Sequence, residues 1–120
     1  MLPSEWKKEI INVKGEVDWV GETSGQLLKD FNMLNLGLKF SDEAGKDYKT
    51  LFSDARNIVR HIYNNQYNDF LNLLYRVDLP ESYVNSMISS LKGDKLFDTI
   101  TSEILMREFL KVVNRKRYAL

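Results

Sequence analysis

The sequence predicts an all-α fold: a bundle of five or six helices that opens with a long N-terminal amphipathic helix or helix pair. Three observations predict it. Apolar residues recur at alternating four- and three-residue intervals through the first 38 positions. Stripes of helical period then follow one another through positions 41–118. No run shows the sustained period-two alternation of a half-buried strand. At 120 residues the chain reads as a single domain, 1–120, with a heptad-like helical segment at 1–38 and a helical core at 41–118.

The N-terminal stripe is Trp6, Ile10, Val13, Val17, Val20, Leu27 and Phe31, running on to Leu34 and Leu38, with Ser24 its one polar member. Four–three alternation averages about 3.5 residues per turn, the period of a seam that seeks an apolar partner surface. Pro3 and Ser4 start the segment, because proline's missing N–H would be unpaired in a first turn anyway. Gly15, Gly21 and Gly25 interrupt the seam. Gly21 and Gly25 leave two readings open. A mid-helix glycine costs about 1 kcal/mol relative to alanine, which suits a turn between shorter helices. The stripe passes through them without slipping, which suits a continuous or kinked helix. Gly37 reads as the residue just past a helix end, with Leu38 folding back on Met33.

Ser41 or Asp42 then caps a second segment, whose stripe is Ala44, Tyr48, Leu51, Phe52, Ala55, Ile58, Val59 and Ile62. Asn64, Asn65 and Gln66 end or bend it, since asparagine side chains compete for backbone groups. A shorter helix carries Tyr67, Phe70, Leu71, Leu74 and Val77. Asp78-Leu-Pro-Glu81 resembles a capping box for the next, which presents Val84, Met87, Ile88 and Leu91. Gly93 reads as its stop and Asp94 as the cap of the last helix. There Leu96, Phe97, Ile100, Ile104, Leu105, Met106, Phe109, Leu110, Val112 and Val113 exceed one narrow stripe, which places this helix at the centre. The predicted core is Phe52, Ile62, Phe70, Leu74, Ile88, Ile100, Ile104 and Phe109.

Composition narrows the function classes. Seventeen basic and seventeen acidic side chains give a formal net charge of zero, so no global field steers the chain to nucleic acid or membrane. The absence of cysteine removes disulfides, thiolate metal sites and a cysteine nucleophile. One histidine, His61, at the edge of a stripe, makes neither a metal site nor a base with an identifiable partner. Gly45-Lys46 lacks the upstream glycine of a phosphate loop, that position being Phe40. No catalytic residue, cofactor site or metal site is predicted. No apolar run approaches the roughly 18 residues of a membrane span. With no basic-then-apolar leader either, the expected location is cytoplasmic.

The one local charge asymmetry is C-terminal. Lys111, Arg115, Lys116 and Arg117 leave residues 101–120 with five basic and two acidic side chains. Cations at a helix C-terminus complement its dipole; an acidic partner surface, nucleic acid or anionic lipid are the alternatives. Asp94, Asp98, Glu103 and Glu108 read as a solvated face, with Glu103 and Arg107 spaced for an i,i+4 pair.

The stretch Tyr67-Asn-Asp-Phe70-Leu-Asn-Leu-Leu74-Tyr75-Arg76-Val77-Asp78, with Pro80-Glu81 and the closing Glu103, Arg107-Glu108-Phe109 and Arg115-Lys116-Arg117, resembles small uncharacterised bacterial all-α proteins. The resemblance covers about residues 60–118. It implies a helical bundle and no particular activity. The expected function is a non-enzymatic protein–protein interaction module, an adaptor or complex subunit, self-associating or docking a partner through the N-terminal seam. The alternative is a nucleic-acid-associated helical protein using the basic C-terminal helix.

Overall fold

The computed structural model describes residues 2–32 and 42–118, and among these the chain is all-α. Six helices follow in order: α1 (Ser4–Glu9), α2 (Trp19–Asn32), α3 (Tyr48–Asn65), α4 (Tyr67–Arg76), α5 (Glu81–Ser90) and α6 (Asp94–Tyr118). A short 3-10 turn, Asp42–Gly45, precedes α3.

Helix α6 organises the rest. Its 25 residues span about 37 Å at 1.5 Å per residue. Leu96, Ile100, Ile104, Leu105, Phe109, Val112 and Val113 are buried along it. Those positions do not fit one stripe, so α6 is covered from several sides: α1, α2, α3 and α5 all pack on it. Of the predicted core, Ile62, Phe70, Leu74, Ile100, Ile104 and Phe109 are buried, while Phe52 and Ile88 are partly buried at its margin.

The N-terminal stripe corrects the expectation of an unbroken or outward-facing seam. It belongs to a helix pair. Helix α1 holds Trp6, and residues 10–18 form an irregular connection in which Gly15 takes a left-handed φ of 87°. Helix α2 then holds Val20, Leu27 and Phe31. The break therefore falls before Trp19, and Gly21 and Gly25 lie inside α2. Asp18 explains the restart: its Oδ1 accepts a hydrogen bond from the Gly21 N–H at 3.0 Å, satisfying a donor in the first helical turn. A Cβ on Gly21 would collide with that carboxylate at 2.2 Å. Trp6, Val20, Leu27 and Phe31 are buried within the chain, and Ile10, Val13 and Val17 are partly buried against the same core. The seam's partner surface is this chain's own interior, largely α6. The readings of Leu34, Leu38, Gly37 and Ser41 fall outside the described residues.

Three helix boundaries differ from expectation. Helix α3 starts at Tyr48, capped by Asp47, whose Oδ2 accepts from the Thr50 N–H at 3.3 Å. Ala44 sits in the preceding 3-10 turn and is buried there. Asp78 does not cap α5. It adopts φ 61° and closes α4, with Leu79 N donating to Leu74 O at 2.9 Å and Asp78 N donating to Tyr75 O at 3.3 Å. That pair of reversed bonds is the Schellman arrangement, and aspartate is among the few residues that enter the left-handed region readily. Leu91 closes α5, while left-handed Gly93 leads into α6, where Asp94 is the first helical residue. As expected, α3 ends at Asn65, and Gln66 alone separates it from α4.

Candidate functional site

The predicted basic patch is built into the fold. Successive turns at the end of α6 reach across to α2 and α1. Lys111 Nζ lies 3.0 Å from Asp30 Oδ2 on α2, and it donates to the Arg76 carbonyl at 2.6 Å. That carbonyl is one of the last four of α4, so an α6 ammonium caps the end of another helix. Arg115 hydrogen-bonds Gln26 Oε1, Lys116 pairs with Glu22 at 2.9 Å, and Arg117 donates to the Glu9 carbonyl at 2.7 Å. Arg115, Lys116 and Arg117 are nevertheless exposed, and Lys111 is half-buried.

Glu108 overturns its reading as part of a solvated face: its side chain has no exposure at all. Its Oε1 is 3.1 Å from Lys111 Nζ, yet neither carboxyl oxygen has a hydrogen-bond geometry with that ammonium. Burial, reinforced by the neighbouring Asp30 carboxylate and its charge, pushes the Glu108 carboxyl up to about 9, with Lys111 opposing. At neutral pH the Glu108 carboxyl is therefore held in its protonated form, with neither oxygen in a hydrogen bond. Burial also acts to raise Asp30, but the neighbouring Glu108 carboxyl, the hydrogen bonds from Lys111 and Gln26 and the Lys111 charge outweigh it and hold Asp30 below the usual carboxylate range. Burial acts to lower Lys111, but the contacts with Asp30 and Glu108 hold it above the ordinary lysine range. A neutral carboxyl and a carboxylate thus lie against one ammonium.

Sequence reasoning missed Asp30 and Gln26 altogether and misplaced Glu108. A signal was present. Glu108 stands in register with Ile104, Leu105 and Val112, on the apolar face of α6, and Asp30 sits beside Phe31 on the corresponding face of α2. An acid inside an apolar stripe has few outcomes other than burial with a partner.

The second feature is a cleft of about 510 Å³ where α1, α3 and α6 meet. Its lining includes Trp6 from α1, Tyr48 and Phe52 from α3, and Met106 from α6. Trp6 is held rigidly, stacked on Phe109 with ring centroids 4.1 Å apart and edge-on to Tyr48 at 5.1 Å. Trp19 meets Phe109 edge-on at 5.8 Å. Around the aromatic wall stand Glu5, Glu103, Ser102 and Lys49. Burial, and the Glu5 charge after it, push the Tyr48 hydroxyl above its usual range. The anticipated Glu103–Arg107 pair does not form within 4.0 Å among the described residues. The cleft falls within the size range of ligand pockets, and apolar walls with a few polar groups are their usual chemistry.

A further hollow of about 580 Å³ lies where α4 turns into α5, lined by Leu71, Tyr75, Leu79 and Pro80 among others. His61 is exposed on α3, with the Asn65 side chain donating to its carbonyl at 3.0 Å. Among the described residues no group of three or more His, Cys, Asp or Glu is placed to hold a metal ion. None of the described helices is long and apolar enough to cross a membrane.

No protein-family profile, curated protein or solved structure matches this chain significantly.

Proposed function

We propose that the chain is a protein-association module that receives a segment of a partner protein in the α1–α3–α6 cleft. The observation that carries this reading is the cleft's construction. Partly exposed apolar side chains, Pro3, Tyr48, Phe52 and Met106, surround a buried tryptophan on three helices that are themselves anchored in the core. Rigid aromatic anchors in a pocket are what protein interfaces concentrate their affinity in. The N-terminal stripe does not serve in this reading, because burial in the chain's own core occupies it. Lys111, Arg115, Lys116 and Arg117 do not favour a nucleic-acid role, because each of the four already has an intramolecular partner.

Selection of displayed random peptides against the folded protein tests the proposal. Ser102 is exposed at the cleft wall, so Ser102→Trp fills the cleft without entering the core. Peptides that bind the wild type and weaken at least about tenfold on the Trp variant support the reading (a loss of about 1.4 kcal/mol). Peptides that bind both proteins equally, or no binders at all, overturn it.

A further inference from the structure

Resting on that reading of the cleft, we infer that its occupant presents a lysine or arginine next to an apolar side chain, the cation meeting Glu5 and Glu103 while the apolar group fills the space against Phe52 and Met106.

Three observations carry this. The first is charge. Glu5 projects from α1 and Glu103 from α6, so carboxylates come to the cleft from two separate helices. Neither has a salt-bridge partner within 4.0 Å among the described residues. Lys49 is the one cation in the lining, which leaves a net charge of −1. Elsewhere on α6 the acids are matched: Asp94 and Asp98 hold Arg56, and Glu108 lies against Lys111. Glu103 stands apart from this pattern.

The second is the nature of the wall. Tyr48 and Phe52 present partly exposed aromatic rings beside those carboxylates, while Trp6 is buried against Phe109, and the π-face of an aromatic ring attracts a cation. A guanidinium or ammonium gains from both features at once, whereas an anion would meet two carboxylates and ring faces of its own sign. The Glu5 charge already acts on the Tyr48 hydroxyl, which places it close to the aromatic wall. The third is the apolar remainder. Pro3, Phe52 and Met106 are only partly covered, and a bare cation would leave them wet. An adjacent apolar side chain, or the aliphatic stem of the basic residue itself, covers them.

The test uses the full chain and the displayed-peptide pool described above, followed by synthetic pairs in which the basic residue is kept or replaced by methionine. Expected is enrichment of lysine or arginine beside an apolar residue among peptides blocked by Ser102→Trp. The double variant Glu5→Gln/Glu103→Gln should weaken the basic peptides about tenfold and leave their methionine analogues within about twofold. Raising salt from 50 to 200 mM should weaken only the basic members, because partly exposed charge pairs are screened. The variant should fold normally, since Glu5 is exposed and Glu103 partly so; a circular dichroism melt checks this. Cleft-blocked peptides without a basic residue, or indifference to the double variant, overturn this inference and leave the docking reading standing. No cleft-blocked peptide at all overturns both.

Discussion

Replacing Glu108 by glutamine should change how the stability of this protein depends on pH. Glu108 is fully buried, and its carboxyl is raised from 4.5 to about 9. Between pH 6 and 8 the folded chain therefore holds a proton on Glu108 that the unfolded chain has released. Folding takes up one proton, so stability falls as pH rises, by about 1.4 kcal/mol per pH unit. The stabilising effect of that proton is complete below pH 4.5 and is lost by about pH 9. Its two partners do not titrate in the window. Asp30 is lowered, so its contribution is lost only as pH falls below the ordinary aspartate range. Lys111 is raised, so its contribution is lost only as pH climbs beyond 10.5. Glutamine keeps the shape but carries no titrating proton. Urea unfolding at pH 6, 7 and 8 should show the variant gaining on the wild type by about 2.7 kcal/mol across the interval. That is a large share of the 5–15 kcal/mol that ordinary domains possess. A stability difference that stays constant with pH would refute the raised Glu108 carboxyl and the burial that causes it.

Other perturbations test the packing. Phe109→Ala removes the ring between Trp6 and Trp19 and should cost about 3–5 kcal/mol in urea unfolding, with a change in tryptophan fluorescence. Gly25→Ala should stabilise by about 0.5–1 kcal/mol, because Gly25 is exposed inside α2 and an added Cβ meets open space; a lower melting temperature would contradict the continuous α2. Arg115→Ser, Lys116→Ser and Arg117→Ser together should leave the far-ultraviolet circular dichroism spectrum intact. Fluorescence anisotropy with mixed-sequence DNA and RNA should give dissociation constants no tighter than about 10⁻⁴ to 10⁻⁶ M at physiological salt; salt-sensitive submicromolar binding that the triple variant abolishes would restore the nucleic-acid reading.

The helices were legible wherever apolar period and burial agree. The excess of apolar positions on the last segment pointed correctly to the central helix, and Asn64–Gln66 to the α3–α4 junction. The N-terminal stripe misled because Ile10, Val13 and Val17 keep helical spacing while lying in an irregular connection. The core selects apolar side chains there whatever backbone carries them. The Asp78–Glu81 pattern suits a capping box in composition, but the left-handed turn that closes α4 uses Asp78 first. The cleft was not legible at all. Pro3, Trp6, Tyr48, Phe52 and Met106 come from three elements, and nothing in linear spacing says that α1 and α3 meet on the same stretch of α6.

The stack of Trp6 on Phe109 joins positions more than 100 residues apart, and that has a consequence for the order of assembly. Synthesis proceeds from the N-terminus, so α1 to α5 emerge before the helix on which most of them pack. Until α6 arrives, the faces of α2 and α3 that pack on it lack a complete cover, and the six residues of α1 are too few to hold a helix unaided. Apolar faces left open in this way are where aggregation competes with folding. Closing so long a loop adds little entropic cost over a shorter one, since that cost grows only logarithmically. Docking of α6 is therefore the step that covers the inward faces of α1, α2, α3 and α5.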